Sequence, residues 1–257
     1  MIHWSEPAAH VGLAVLDRPE RRNALNAELC DDLRGHLEAN QGLRAVVIAG
    51  EGSAFCAGAD LARRTADHGG LEHGGEDSFR PAFELLCDAI QHFPAPVIAA
   101  VHGPAIGAGT QLAVACDYRL VGPDAVFGVP GSKLGIVLSA KNITRLVQLV
   151  GPAHASDLLV TSRTLGRDEA ERLGLVTRLV NDPRADAVAF AGRIAALAPI
   201  TVQAHKRAVN LVKAAGALGD AAAAEIAEWE RRAFSSTDLQ EGLAAFAEKR
   251  TPDFTGH

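Results

Sequence analysis

The sequence predicts an α/β protein in which strands and helices alternate, followed by a helical C-terminal region. Three observations carry this prediction: short β-branched runs that end in glycine, helical periodicity between those runs, and an alanine-rich last quarter with few strand signals. The chain has 257 residues, of which 48% are hydrophobic and 22% are charged. A chain of this length can bury a large core. We expect residues 1–198 to form that core and residues 199–257 to form the helical region.

Strand patterns and helix patterns alternate along the first half of the chain. Leu29, Leu33 and Leu37 recur every four residues and mark one face of a helix over 27–39. Runs of small and β-branched residues that stop at glycine or histidine predict buried strands. The elements predicted in order are a strand at 10–16, the helix at 27–39, a strand at 44–50, a helix at 81–93 and a strand at 97–101.

The second half is predicted to be mostly helical. A helix at 107–116 precedes short strands at 118–121 and 125–128, and almost everything after residue 139 has helical character. Segment 62–80 has four glycines and few apolar residues, so we expect a mobile loop there. His68 and His73 lie in this segment, but we do not predict a metal site there.

Composition excludes several classes of function. The net charge is −6, so no global field favours nucleic acid or an anionic membrane surface. The four cysteines contain no C-x-x-C pair and are expected to be free thiols in a reducing compartment. We find neither a signal peptide nor an apolar run near the roughly 20 residues of a membrane span. We therefore expect a cytoplasmic protein.

Two glycine-containing turns leave neighbouring predicted strands, one at 53–61 and one at 102–111. Small residues let backbone amides approach a ligand closely, and the second turn enters a helix whose first N–H groups are free. Two such turns side by side would offer two N–H groups to one carbonyl oxygen. Each turn alone is also consistent with close strand–helix packing. A dinucleotide fingerprint fails because Leu112 occupies the place of its third glycine, and a P-loop fails because no Gly-Lys-Ser/Thr follows.

The ordered set of motifs resembles the crotonase (enoyl-CoA hydratase/isomerase) superfamily over essentially the whole chain. The matching segments are an Arg-Pro-x-x-x-Asn-Ala-Leu turn at 18–25, the turn at 54–61, the strand and turn at 96–103 leading into Gly107-Ala108-Gly109, a Cys-Asp-x-Arg strand entry at 116–119, and a Phe-x-Glu-Lys-Arg tail at 246–250. Such an ordered set is much more specific than any one of its turns.

The resemblance implies a fold, an assembly and a ligand. The fold is a spiral of repeated ββα units with a C-terminal helical trimerisation region, and the assembly is a homotrimer or a hexamer of two trimers. The ligand is an acyl-CoA thioester, so coenzyme A is expected only as part of that ligand and no tightly bound cofactor is implied. The implied roles are the amides of Ala59 and Ala108 as the oxyanion hole, the Ala57 carbonyl on adenine, Arg21 or Arg22 near coenzyme A, and Phe246 and Lys249 reaching the coenzyme from a neighbouring subunit.

The sequence departs from the family pattern at the residues that move protons. Hydratases of this family use two glutamates, and the matching positions here are Gln111 and Gly131. Glutamine can hold a water but cannot accept its proton, and glycine offers nothing. Ser139 occupies a position where some relatives carry an aspartate. The other polar residues nearby, Ser132, Lys141 and Asn142, are interpreted with it as loop or helix-cap residues.

Three hypotheses for function follow. The leading one is a protein of lipid or fatty-acid metabolism that resembles enoyl-CoA hydratases, binds acyl-CoA without hydrating it, and acts as a carrier or sensor, or with a protein partner. The alternative is an active enzyme of the same superfamily, either a hydratase or a decarboxylase or C–C bond enzyme that relies on the oxyanion hole. The third is an interaction protein without a ligand. A gain of hydration in a Gln111→Glu, Gly131→Glu double variant would show that only the acids are missing.

Overall fold

The computed structural model describes residues 1–61, 78–215 and 219–257. Within these ranges the backbone forms two β-sheets and a series of helices. The strands are β1 (Ile2–Ala8), β2 (Val11–Leu16), β3 (Ala45–Gly50), β4 (Val97–Val101), β5 (Pro104–Ile106), β6 (Tyr118–Val121), β7 (Val126–Gly128), β8 (Thr164–Gly166) and β9 (Arg178–Leu179).

Helices connect these strands and make up most of the last third. They are α1 (Ala27–Ala39), α2 (Phe79–His92), α3 (Ala108–Ala115), α4 (Gly131–Leu134), α5 (Ala140–Thr161), α6 (Arg167–Arg172), α7 (Pro183–Ala195), α8 (Pro199–Ala215), α9 (Asp220–Phe234) and α10 (Thr237–Glu248), with a single 3-10 turn at Pro19–Arg21. Asn26 caps α1 by accepting from the Leu29 N–H, at 2.9 Å.

The larger sheet has the strand order β1-β2-β3-β4-β6-β9 and is parallel except for the β1–β2 hairpin. Both of its faces are covered, as parallel sheets require. Along β3, Val46 and Ile48 pack into the core formed with α1 and α2. The alternate residues Val47 and Ala49 pack into a second core formed with α7. The smaller sheet, β5-β7-β8, lies beyond the end of β4.

The predicted α/β class is confirmed, and several elements match the prediction closely. Helix α1 and strands β4 and β6 have the predicted bounds. Strand β1 was missed because it is an edge strand with a mostly exposed face and contains Pro7. Strands β5, β8 and β9 were missed because each has only two or three residues, too few for a period to be recognised.

Other sequence-based predictions meet the structure only in part. The predicted loop at 62–80 is wrong at its end, because Phe79 and Arg80 already belong to α2. Its residues 62–77, with both of its histidines, lie outside the described residues. In the described ranges, no cluster of three or more histidine, cysteine or acidic residues could hold a metal ion. No single helix there is long and apolar enough to cross a membrane, although α7 and α8 meet the length and composition test together as a pair bent by 111°.

Asn23 joins the first turn of the chain to the end of β3. It is fully buried and has a left-handed backbone with φ of 57°, which asparagine tolerates better than most residues. Its Nδ2 donates to the carbonyl oxygens of Glu51 and Ala54, both at 2.8 Å, and its Oδ1 accepts from the Arg18 N–H at 3.0 Å. These bonds fix the segment that leads from β3 to the turn at 54–59.

We predict that Asn23→Ala lowers the free energy of unfolding by about 3 kcal/mol, because it leaves buried carbonyl groups without a donor. Urea denaturation monitored by circular dichroism measures the change. Asn40→Ala is the control, since Asn40 is half-buried and its Nδ2 donates only to the His36 carbonyl. It should cost less than about 1 kcal/mol. Equal losses for the two variants would contradict the role given to Asn23.

Candidate functional site

A cavity of about 240 Å³ opens where the two glycine-containing turns meet. Its walls come from four parts of the chain: the turn at 57–59 with Leu61, the turn at 106–108 with Gln111, helix α2 and the segment 129–142. The lining is mainly apolar, and Phe83 of α2 is buried in it while Leu134 and Val137 remain largely exposed at its rim. An apolar cavity with a few polar groups is the usual form of a small-molecule site.

The two turns are tied together by their backbones. The Cys56 N–H donates to the Pro104 carbonyl at 3.1 Å, and the Ile106 N–H donates to the Cys56 carbonyl at 2.9 Å. These bonds form a short parallel bridge between Cys56 and Ala105. The pairing continues the side-by-side order of β3 and β4 past the end of the large sheet, so both turns leave the sheet at the same edge.

Glycines allow this close approach. A Cβ on Gly109 would lie 2.1 Å from the Cys56 carbonyl oxygen, and one on Gly58 would lie 2.9 Å from the Ile106 carbonyl oxygen. Gly58 and Gly107 also have φ values of 109° and 58°, which residues with a Cβ rarely adopt. A larger residue at Gly58 or Gly109 would push the two turns apart.

The arrangement leaves two backbone donors on the cavity wall. Ala59 and Ala108 both line the cavity, and within the described part of the chain neither N–H has a hydrogen-bond acceptor. Their neighbours are paired: the Asp60 N–H donates to the Leu25 carbonyl and the Gly107 N–H to the Gly128 carbonyl, each at 2.7 Å. Ala108 begins α3, so the positive end of that helix adds to the potential there.

Gln111 and Gly131 both line the same cavity. Gln111 lies one turn of α3 beyond Ala108, so its side chain is on the same side of the helix. Gly131 is enclosed by backbone, because a Cβ there would lie 2.6 Å from the Ile136 carbonyl oxygen. The Ile136 N–H in turn donates to the Gly131 carbonyl at 2.9 Å. The turn at 131–136 is therefore built around the absence of a side chain.

Of the polar residues interpreted as loop or cap residues, Ser139 is a cap, whereas Ser132 lies in α4 and Lys141 in α5. The Ser139 hydroxyl is the N-cap of α5 and accepts from the Asn142 N–H at 3.4 Å. The Ser132 hydroxyl donates to the Leu159 carbonyl at 2.6 Å, and Lys141 pairs with Asp88 at 2.6 Å. Asn142 has a different environment, since it is buried and lines the cavity.

The residues expected near coenzyme A fall into two groups. Ala57 lines the cavity, and its N–H donates to the Arg22 carbonyl at 2.9 Å, so this turn lies beside exposed Arg21 and Arg22. Phe246 is 86% exposed near the end of α10, and Lys249 follows that helix on the surface. Neither of these two lines the cavity of its own chain.

Helix α2 supplies side chains that sequence reasoning did not place at the site. Glu84 is half-buried and is the one carboxylate among the described residues that line the cavity. Asp60, although adjacent to Ala59, is not part of the lining and pairs with Arg18 at 3.0 Å. The helical period of 79–92 puts Arg80, Phe83 and Glu84 on one face, but nothing in that period indicates that this face meets the two turns.

Cys56 lies in the turn at 54–59, but its thiol does not ionise at neutral pH. Complete burial raises the pKa of its thiol to about 12, so the side chain stays protonated at neutral pH. A thiolate nucleophile is therefore not available there. What the site offers is backbone donors in an apolar cavity, with Glu84 as the ionisable acid or base on its wall.

The fold and the sequence match known proteins along nearly the whole chain. A sequence model described as enoyl-CoA hydratase/isomerase matches residues 6–257. The chain is 40% identical over 247 residues to a probable enoyl-CoA hydratase, echA6, of Mycobacterium tuberculosis, covering 94% of each protein. It is 38% identical over 255 residues to a putative enoyl-CoA hydratase of Thermus thermophilus, covering 95% of this chain and 97% of the relative. The crystal structure of an enoyl-CoA hydratase/carnithine racemase from Magnetospirillum magneticum superposes with a TM-score of 0.89 at 33% identity, covering 100% of this chain and 96% of that one.

We predict that Gly109→Ala destabilises the protein by about 2 kcal/mol or more, because the new methyl group collides with the Cys56 carbonyl and separates the turns. Gly192→Ala in α7 is the matched control, since no atom lies within 4 Å of its new Cβ. That control should be neutral or stabilise by about 0.5–1 kcal/mol. Thermal unfolding by calorimetry measures both changes, and a Gly109→Ala protein as stable as the control would contradict the close contact.

Proposed function

The chain belongs to the enoyl-CoA hydratase/isomerase family, and from that membership we propose that it binds acyl-CoA thioesters without hydrating them. The thioester oxygen accepts hydrogen bonds from the N–H groups of Ala59 and Ala108. The observation that carries the proposal is the pair of backbone donors that line one cavity without an acceptor in the described residues. Donors of this kind stabilise a carbonyl oxygen whether or not a reaction follows.

The absence of hydration follows from Gln111 and Gly131. A positioned acid or base contributes typically about 10²–10⁴-fold in rate, and both positions lack one. Gly131 is also a position that a glutamate cannot enter without displacing the Ile136 carbonyl. A variant that restores both glutamates therefore tests the fold of 131–136 together with the chemistry, and Gln111→Glu is the more informative single change.

The coenzyme part of the ligand extends away from the apolar cavity. We place its adenine near the Ala57 carbonyl and its phosphates near Arg21 or Arg22, which are exposed next to that turn. Phe246 on α10 and Lys249 just after it are exposed, and in a trimer or a hexamer of two trimers they contact the coenzyme held by a neighbouring subunit. The protein then acts in cytoplasmic lipid or fatty-acid metabolism as a carrier or sensor, or together with a protein partner.

A second candidate function is catalysis that uses Glu84. This residue is a carboxylate on the wall of the same cavity, which favours an active crotonase-type enzyme more than the sequence alone did. A neighbouring charge also interacts with Glu84: Asp88 raises the pKa of Lys141 through a hydrogen bond, and the Glu84 carboxylate adds to that attraction.

We predict measurable binding of octanoyl-CoA in titration calorimetry and no loss of enoyl absorbance when the protein is incubated with crotonyl-CoA. The reason is that the donors at Ala59 and Ala108 are present while the hydratase acids are not. Coenzyme A without an acyl group is the control ligand and should bind more weakly, because it leaves the cavity and both donors unfilled. Rapid hydration of crotonyl-CoA would contradict the proposal.

We predict that Glu84→Gln changes the affinity for octanoyl-CoA by no more than about twofold, because the proposed binding mode assigns the thioester oxygen to the Ala59 and Ala108 amides and gives Glu84 no part in it. The same variant tests the second candidate function, which is catalysis that uses Glu84. A panel of CoA thioesters is incubated with each protein and analysed by mass spectrometry. Turnover of any thioester that falls by about 100-fold or more in Glu84→Gln would make the protein an enzyme that uses this carboxylate.

A further inference from the structure

Asn142 is the one buried side-chain amide on the cavity wall among the described residues. It is 4% exposed and lies in the first turn of α5, facing the same cavity as Ala59 and Ala108. The surrounding wall is mostly apolar. Burial of an amide costs free energy unless its groups are paired, so the fate of each of its polar atoms matters.

The Oδ1 atom of Asn142 is held by Arg145. The Arg145 Nη1 donates to it at 2.8 Å, and the Arg145 Nε donates to the Gln91 Oε1 at 2.8 Å. A further ion pair joins Arg145 to Asp88 on α2. Burial acts to raise the pKa of Asp88, but hydrogen bonds from Lys141 and Arg145 outweigh it and hold the pKa below its usual value. Asp88 is therefore charged at neutral pH and keeps Arg145 in place.

This support fixes which way the amide points. With Oδ1 turned toward Arg145, the Nδ2 group is turned away from it, and no acceptor for Nδ2 is present within the described ranges. Asn142 therefore presents two N–H donors that the protein itself does not satisfy. Ser139 and Gln111 line the same cavity and carry further polar groups. The thioester oxygen is already assigned to Ala59 and Ala108, so these donors are available to a second oxygen.

We propose that Asn142 is a specificity-determining residue for acyl groups that carry a hydrogen-bond-accepting oxygen, such as a ketone, in the chain. This inference rests on the proposed function, since it assigns the substrate class of the same cavity. An unsubstituted chain leaves the Nδ2 donors without an acceptor, whereas a keto chain satisfies them. A purely structural Asn142 would tie α5 to α2 through Arg145 and would affect all acyl groups alike.

The test compares octanoyl-CoA with a series of oxo-octanoyl-CoA thioesters. Each member of the series carries a single ketone, at a different carbon of the acyl chain. Affinities are measured by titration calorimetry for the wild type, Asn142→Asp and Thr144→Asp. Asn142→Asp keeps an oxygen for Arg145 but replaces the donors with acceptors. Thr144→Asp adds the same charge to α5 at an exposed position and serves as the control.

The wild type should bind at least one oxo-octanoyl-CoA about 3- to 10-fold more tightly than octanoyl-CoA. Thr144→Asp should keep that preference, and Asn142→Asp should lose or invert it while octanoyl-CoA still binds. The inference is overturned if the wild type binds no oxo-octanoyl-CoA more tightly than octanoyl-CoA, or if that preference survives in Asn142→Asp. If no CoA thioester binds, including octanoyl-CoA, the proposed function is overturned and this inference with it.

Discussion

The contact between the turn at 54–59 and the turn at 104–109 is the constraint on which the site depends. Two backbone hydrogen bonds at Cys56 hold the turns together, and Gly58 and Gly109 leave no room for a side chain between them. Because the strands that deliver these turns, β3 and β4, are neighbours in a parallel sheet, both turns leave at the same edge. The placement on one cavity wall of two N–H groups that have no acceptor among the described residues is a consequence of that packing.

A backbone donor without a partner carries a cost for the folded protein, and the proposed ligand oxygen would remove that cost at Ala59 and Ala108. Binding and reaction are separate demands, however. A reaction needs groups that interact more strongly with the transition state than with the bound substrate, and proton transfer needs a positioned acid or base. At the two positions where the resemblance places the hydratase glutamates, Gln111 cannot take a proton and a Cβ on Gly131 would lie 2.6 Å from the Ile136 carbonyl oxygen. These features support the proposal that the cavity holds a thioester without hydrating it.

The sequence predicted the parts of the fold that have long periods or strong punctuation. Helix α1, strand β4 and the glycine turns were found because their patterns are local, and the family resemblance then linked the turns across 50 residues. Contacts between distant elements could not be predicted. Glu84 on α2 and Asn142 on α5 reach the cavity only through tertiary packing, and the position of the Ile136 carbonyl oxygen, 2.6 Å from where a Cβ on Gly131 would lie, is a property of the folded turn. The oligomer and the coenzyme contacts of Phe246 and Lys249 stay predictions.

The most direct measurement is a crystal structure of the protein with a bound saturated acyl-CoA. The account predicts a thioester oxygen about 2.7–3.1 Å from both the Ala59 and the Ala108 nitrogen, with the acyl chain inside the cavity beside Gln111. A thioester bound elsewhere, or an oxygen that contacts only one of the two nitrogens while Glu84 reaches the adjacent carbon, would contradict it.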